Sequence, residues 1–274
     1  MSYRTILVLV TEDPRLDERL TTARMLAQRF GAHVIGLHVM PLPVVPLGYG
    51  EAAAYVGPEL IEAQRTAAAE LADRLRQRFE AAMAELAPDF AWRAIEGDAA
   101  AVAVSQARLA DLVLAPQSDL RGIDLLEPDL AEHLAMGGGV PVLILPRAGW
   151  KPDPGRRVLV AWNGSRQATR ALHDALPLLA HADRVTLLAA GEEALESADD
   201  AVALLGRHGI AVEAEKLAEG GQPIGPLLLA RAAARDCDTL VMGAYGHSRL
   251  RELVLGGTTR HVFATAELVV LASS

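Results

Sequence analysis

The sequence predicts an α/β protein built from two doubly wound, five-stranded parallel sheets, and three observations lead to this fold class. Short continuous runs of Val, Ile and Leu recur along the chain, as at residues 5–10 and 157–162, and such runs are typical of strands buried on both faces. Segments with apolar residues at helical spacing separate them, as at residues 17–30. The same alternation occurs twice, so each half follows the pattern β-α-β-α-β-α-β-α-β, which indicates parallel strands with helices on both faces.

The first half contains five predicted strands and four predicted helices. Gly31 follows the first helical segment and suits its C′ position, while Asp98 is a good N-cap for the third helix. Residues 41–58 contain four prolines and three glycines, which indicates a long irregular connection. The predicted strands are residues 5–10, 33–39, 90–96, 112–115 and 142–145, and the predicted helices are residues 17–30, 59–86, 99–109 and 129–136.

The second half repeats this order after residues 149–156, which have the composition of a linker. Residues 4–8 resemble residues 156–160, residues 111–114 resemble residues 239–242, and Glu132-His133 falls opposite Arg260-His261. We therefore expect one domain over residues 1–147 and another over residues 156–274. In the second half the predicted strands are residues 157–162, 184–189, 212–217, 239–242 and 268–271, and the predicted helices are residues 167–180, 194–208, 224–235 and one that begins at residue 258.

The composition limits the classes of function. The chain has 274 residues and a net charge of −9, which does not favour a nucleic-acid-binding surface. The single cysteine, Cys237, excludes an internal disulfide framework and suits a reducing compartment. Residues 1–4 lead directly into a strand without the features of a signal peptide, and no apolar run approaches the ~20 residues that a membrane span needs. We expect a cytoplasmic protein that contacts neither nucleic acid nor membrane.

A glycine-rich loop follows the predicted strand 239–242. Two glycines separated by two residues come directly after the strand, where we expect them to take positive φ and let the backbone approach a ligand. A glycine pair then precedes a helix, whose first N–H groups attract anions, and two threonines add hydroxyl donors. The pattern predicts a phosphate-binding loop at the carboxyl end of a parallel strand, with an ordinary glycine turn as the alternative. The candidate binding residues here are Gly243, Gly246, His247, Gly256, Gly257, Thr258 and Thr259.

The spacing Gly-x2-Gly-x9-Gly at Gly243, Gly246 and Gly256 resembles the ATP-binding signature of the universal stress protein family. The resemblance covers both halves and implies the strand order 3-2-1-4-5 in each, as in adenine nucleotide alpha hydrolase-like folds. It also implies that the two domains pair through their last strands, so that one chain forms an intrachain pseudo-dimer. The implied cofactor is ATP, with Mg²⁺ as a further candidate. One position departs from the family, because Gly257 stands where Ser or Thr usually follows the last glycine.

The two halves differ at the places that would approach a phosphate. Matching residues 111–114 with residues 239–242 puts Ala115 and Ser118 opposite the first two glycines, and Pro128-Asp129 opposite the glycine pair. Alanine and serine resist positive φ, proline lacks an N–H group, and a carboxylate repels phosphate. We therefore expect a degenerate nucleotide site in the first domain and at most one nucleotide per chain.

Two further candidates, Trp162 and Asn163, end the first strand of the second half. The resemblance implies that the base lies near them, because the family commonly has Asp-Gly-Ser where this chain has Asn163-Gly164-Ser165. An ordinary turn with Ser165 as a helix N-cap is the alternative. His247 could contact phosphate or act as an acid or base, with an ordinary surface histidine as the alternative.

Catalytic equipment is not evident in the sequence. It contains no G-x-S-x-G elbow, no paired catalytic carboxylates and no Cys–His combination, so we assign no catalytic residue and no metal site. The predicted function is a stress-response protein that binds ATP in its C-terminal domain, and enzymatic activity stays open with slow ATP hydrolysis as its upper limit. The alternative is an interaction or scaffold module with a relic glycine loop. In either case we expect an unidentified protein partner, and a homodimer beyond the pseudo-dimer stays open.

Overall fold

The computed structural model describes residues 2–44, 53–87, 89–117, 130–149, 153–217, 223–245 and 257–274. In the first half the helix α1 ends at Gly31, whose φ of 60° is left-handed, and α3 begins at Asp98, whose side chain accepts from the Ala101 N–H; both predictions are confirmed. The strands are β1 (Thr5–Leu9), β2 (His33–Met40), β3 (Phe90–Glu96), β4 (Leu112–Pro116) and β5 (Val142–Leu145). The helices are α1 (Leu16–Phe30), α2 (Ala53–Met83), α3 (Ala99–Ala107) and α4 (Leu130–Gly137), with a 3₁₀ turn over Ala84–Leu86.

The second half repeats this order. Ser165 caps α5, because its Oγ accepts from the Ala168 N–H at 3.2 Å. The strands are β6 (Arg157–Trp162), β7 (Arg184–Ala190), β8 (Val212–Leu217), β9 (Thr239–Gly243) and β10 (Val269–Ser273). The helices are α5 (Arg166–Leu179), α6 (Glu192–Arg207), α7 (Ile224–Ala234) and α8 (Thr258–Thr265).

The α2 helix departs from the prediction at its start. The helix was expected to begin after Pro58, because proline interrupts the i to i−4 hydrogen-bond ladder. In the structure α2 begins at Ala53 and continues through Pro58, so the irregular connection is shorter than its proline content suggests.

The strands form one sheet with the order β3-β2-β1-β4-β5-β10-β9-β6-β7-β8. Each half has the predicted order 3-2-1-4-5 with parallel neighbours, and the last strands of the two halves, β5 and β10, pair antiparallel. The two predicted sheets are therefore continuous through this pair, in which Ile144 lies opposite Val270 and Leu143 opposite Leu271. Antiparallel pairing of equivalent strands gives the halves an approximate twofold relation.

The sheet register corrects one match between the halves. Leu112 of β4 pairs with Ile6, and Thr239 of β9 pairs with Val158, which makes Leu112 and Thr239 equivalent. The carboxylates just before these strands agree, since Asp111 accepts from the N–H groups that begin β1 and Asp238 from those that begin β6. The residue opposite Gly243 is therefore Pro116, and placing Ala115 there was wrong by one residue. The other matched positions, Ser118 and Pro128-Asp129, lie outside the described residues.

Helices cover both faces of the sheet in two hydrophobic layers. On one face the strand residues pack against α1, α2, α5 and α6, and on the other against α3, α4, α7 and α8. Contacts between the halves continue beyond the β5–β10 pair: the Tyr3 hydroxyl donates to the Asp174 carbonyl at 2.6 Å, and Arg260 on α8 pairs with the buried Glu132 on α4. The halves thus share continuous hydrophobic layers, as an intrachain pseudo-dimer requires.

Candidate nucleotide-binding site

The candidate site lies where the strand order of the second half reverses. Neighbouring strands β6 and β9 lead to helices on opposite faces, β6 to α5 and β9 to α8. Such a switch point leaves a crevice outside the carboxyl ends of the two strands, which is where ligands of open α/β sheets bind. The described residues at this crevice are Trp162 to Ser165, Gly243 to Tyr245 and Gly257 to Thr259.

Asn163 and Ser165 form a hydrogen-bonded turn between β6 and α5. The Asn163 Oδ1 accepts from the Ser165 N–H at 3.2 Å and from the Ser165 hydroxyl at 2.7 Å. Ser165 also caps α5, so the turn with Ser165 as helix N-cap, which was the alternative to a base-binding role, is present. Because both donors reach the oxygen, the Asn163 amide group has a defined orientation.

Trp162 is buried beneath α6. Its side chain is only 9% exposed, and its Nε1–H donates to the Ser197 hydroxyl at 3.0 Å. The indole therefore belongs to the hydrophobic layer. Its N–H group is already bonded to Ser197, so it is not available to a ligand at the end of β6.

Close packing explains why residue 243 is a glycine. A Cβ at this position would lie 2.6 Å from both the Ala168 N and the Gln167 carbonyl carbon, which are backbone atoms at the start of α5. Its φ is not in the left-handed region, contrary to the expectation; Tyr245, two residues later, has the positive φ, at 58°. Glycine here lets the end of β9 approach α5 closely.

The start of α8 offers backbone donors to the crevice. Gly257 is its N-cap and provides no side-chain acceptor for the N–H groups of the first turn. Thr259 is buried, and its Oγ1 accepts from the Tyr245 N–H at 3.4 Å, which joins the loop after β9 to the helix. The candidates Gly246, His247 and Gly256 lie outside the described residues.

In the first half a buried side chain that the sequence analysis missed, Arg19, lies at the carboxyl end of β1. Its guanidinium is 1% exposed, and it donates from Nε to the Leu9 carbonyl at 2.9 Å and from Nη2 to Thr11 Oγ1 at 3.0 Å and Asp13 Oδ2 at 2.6 Å. Leu9 ends β1 and its carbonyl faces β4, so the guanidinium lies at the switch point of this half.

The matching buried faces of α1 and α5 place Ala171 opposite Arg19, since Leu16, Leu20 and Ala23 recur as Ala168, Leu172 and Ala175. The sequence did contain one signal for Arg19, because it is a charged residue on the apolar face of the predicted helix 17–30. It could show that Arg19 is unusual, but not what Arg19 contacts.

The Arg19 cluster also controls the ionisation of Asp13. Burial by itself would raise the pKa of Asp13, but the hydrogen bond and charge of Arg19, helped by the Thr11 hydroxyl and the Arg15 N–H, outweigh it and hold that pKa below its ordinary value. Asp13 is therefore an ionised partner of a buried cation.

Two kinds of feature are absent from the described residues. Among the described residues no group of three or more His, Cys, Asp or Glu side chains is arranged to hold a metal ion. Nor does any helix in that part of the chain combine the length and apolar character that crossing a membrane requires.

Comparison with known proteins agrees with this architecture. The model of the universal stress protein family matches the chain twice, over residues 2–146 and 155–273. A universal stress protein from Archaeoglobus fulgidus DSM 4304 is similar in structure, with 19% identity, a TM-score of 0.75, and coverage of 98% of this chain and 96% of that chain. A functionally unknown protein from Pseudomonas aeruginosa PAO1 is 17% identical, with a TM-score of 0.57 and coverage of 99% and 92%.

At these identities the two structures support the fold alone. No curated protein matches the sequence. The two family matches together span most of the chain and coincide with the two halves of the sheet. The chain therefore belongs to the universal stress protein family, with two such domains in tandem.

Proposed function

We propose that the second half binds an adenine nucleotide, ATP, in the crevice between β6 and β9, and that the first half serves as a scaffold. The observation that carries the proposal is the start of α8, whose first-turn N–H groups have no side-chain cap and lie at the switch point of the sheet. Uncapped N–H groups backed by a helix dipole favour an anion such as a phosphate group. The glycine spacing after β9, with its resemblance to the family's ATP signature, points to the same ligand.

The residues present fit a nucleotide. The crevice combines N–H groups of Thr258 and Thr259, the Thr258 hydroxyl and the Asn163 amide, and its described residues include no carboxylate or histidine. Donors without acidic side chains suit a polyphosphate. Mg²⁺, if it accompanies ATP, would be held by the phosphates themselves. We propose binding rather than turnover, since these described residues supply no general base.

The buried Arg19 supports one nucleotide per chain. In the first half its guanidinium occupies the switch point and is bonded to Leu9, Thr11 and Asp13, so a ligand would have to displace a buried ion pair. Pro116, opposite Gly243, also lacks an N–H donor. The second half has Ala171 in place of Arg19, which leaves its crevice clear of this cluster.

The test begins with the purified protein, which is denatured and analysed for released nucleotide. Calorimetry with ATP should then give a stoichiometry near one. Gly256→Asp should abolish binding, because it adds bulk and negative charge beside the phosphates; losing one or two charge-assisted hydrogen bonds costs about 1.5–3 kcal/mol each, or tenfold or more in affinity. A matched control is Gly206→Asp on α6, where an added Cβ meets open space. Equal ATP affinity in the wild type and Gly256→Asp would refute this site, and two equivalent sites would refute the asymmetry.

The second candidate function is an interaction or scaffold module without a nucleotide, and one observation favours it. The packing of Gly243 against Ala168 explains one glycine of the signature without a ligand. In that case a partner would use other surfaces, such as the exposed Leu42 and Val44 at the start of the proline-rich connection. No released nucleotide and no thermal shift with ATP would select this alternative. Under both proposals we place the protein in the cytoplasm, where its single cysteine suits a reducing environment.

A further inference from the structure

The carboxyl end of α8 is held by a side chain of the first half. Gln117, which follows β4, donates from its Nε2 to the Phe263 carbonyl at 2.8 Å and to the Ala266 carbonyl at 3.1 Å. Its Oε1 accepts from the Arg147 N–H at 3.1 Å, so the amide group cannot turn over without losing all three hydrogen bonds. The last carbonyls of a helix have no partner within the helix, and here Gln117 supplies one from the other half of the chain.

The first turn of α8 is also tied to the first half. Arg260 pairs with Glu132 of α4, whose side chain is only 4% exposed, with 3.4 Å between the Arg260 Nε and the Glu132 Oε1. A helix of eight residues is too short to be stable by itself, so tertiary contacts of this kind fix its position. The place of the donors at Thr258 and Thr259 therefore depends on contacts that the first half makes.

The second half does not repeat the contact of Gln117. The register of β4 and β9 makes Ala244 the counterpart of Gln117, and each donates its backbone N–H to the last strand of its own half. An alanine side chain has no donor to offer α4, which instead receives a hydrogen bond from the Ser274 hydroxyl to the Ala135 carbonyl. The bridging amide thus belongs to the half without the proposed site and supports the helix of the half that has it.

We propose that Gln117 is a positioning residue of the nucleotide site, which fixes α8 so that the N–H groups of Thr258 and Thr259 meet the phosphate groups. The inference rests on the proposed function and deepens it, since it gives the first half a defined part in binding. Gln117 lies at the opposite end of an eight-residue helix, about 12 Å from the donors, so it does not itself contact the phosphates. Binding groups must be held within about 0.5 Å of their productive geometry, so a loosened α8 loses affinity for phosphate.

The test is Gln117→Glu, which keeps the shape of the side chain. The carboxylate still accepts from the Arg147 N–H, but it turns an acceptor instead of a donor toward the Phe263 and Ala266 carbonyls. Affinities for ATP and adenosine are measured by calorimetry. The Kd for ATP should rise about tenfold, whereas the Kd for adenosine, which has no phosphate group to meet α8, should stay the same. Hydrogen exchange at the backbone amides of α8, measured without nucleotide, should be faster in the variant.

Two further variants complete the test. Gln106→Glu makes the same amide-to-carboxylate change on α3, where the Gln106 Oε1 accepts from Arg93 and a carboxylate can do the same, so ATP affinity should equal that of the wild type. Gln117→Met removes both donors without adding a charge and should repeat the selective loss for ATP.

Three results would overturn the positioning role: an unchanged Kd for ATP in either Gln117 variant, unchanged exchange at α8, or equal losses for ATP and adenosine. Equal losses would indicate a general structural defect, because only the phosphate groups depend on the start of α8. Absence of ATP binding by the wild type would instead refute the proposed function, and this inference with it.

Discussion

Replacing Arg19 by alanine should destabilise the first half severely. Arg19 is among the largest fully buried side chains, and its guanidinium bonds the Leu9 carbonyl, Thr11 and Asp13. The substitution removes these donors, leaves a cavity between α1 and β1, and strips Asp13 of its cation. The second half has alanine at the equivalent position, Ala171 of α5, so we expect the backbone of α1 to accept alanine without rearrangement.

The magnitude follows from the burial of the pair. Removing one partner of a buried ion pair costs about 3–5 kcal/mol, and the lower end applies because the Asp13 side chain is 27% exposed and keeps some water. A loss of about 3 kcal/mol is a large part of the ~5–15 kcal/mol of a typical domain. In urea unfolding followed by circular dichroism, the midpoint of the unfolding transition should fall by about 1 M.

A double-mutant cycle separates the ion pair from the cavity. Asp13→Ser copies Ser165, so the double variant with Arg19→Ala reproduces the second half at both positions. The double variant should lose about 2 kcal/mol less than the sum of the single variants, since it leaves no unpaired charge. A loss below about 1 kcal/mol for Arg19→Ala alone, or strictly additive losses, would refute the reasoning.

Three further predictions follow from single contacts. Gly243→Ala should lower the free energy of unfolding by about 1–3 kcal/mol with or without ATP, because its Cβ meets the Ala168 backbone; an unchanged urea midpoint would contradict the packing explanation. Because the pKa of Asp13 is lowered from 3.8, its contribution to stability is present above that pH and is lost as the pH falls through the lower folded value. Asp13→Asn should therefore lack this part of the acid dependence of unfolding, whereas identical acid profiles would count against it. Burial and the neighbouring Asp238 raise the pKa of Cys237. This thiol should therefore react with iodoacetamide far more slowly at about pH 8 in the native than in the denatured protein, and equal rates would show that it is accessible.

Local signals in the sequence account for most of the elements. A run such as residues 157–162 is apolar at every position because parallel strands are covered on both faces, and this shows without knowledge of the neighbours. Gly31 and Asp98 mark helix ends because capping involves atoms only a few residues apart. The start of α2 was missed for the same local reason, since Pro58 suggested a boundary that the helix does not have.

Features that depend on contacts between distant segments were not accessible in this way. The match of Gly243 with Pro116 instead of Ala115 required the hydrogen-bond register of β4 and β9, because a one-residue shift leaves the apolar pattern of such short strands almost unchanged. The reason for Gly243 likewise required the distance to Ala168, which lies 75 residues earlier in the chain.

By itself the sequence determined the fold class, the tandem repeat and the positions of the strands, because these follow from the spacing of apolar residues and from capping residues. It also marked the glycine spacing after residue 242 as a candidate phosphate loop. The tertiary structure alone decided the antiparallel register in which β5 and β10 pair, the burial of Trp162, and the contacts of Arg19 with Leu9, Thr11 and Asp13. The physical reason is that burial and hydrogen-bond partners depend on which surfaces meet. Residues 19 and 171 occupy the same position on their helices, and only the structure shows which groups surround each of them.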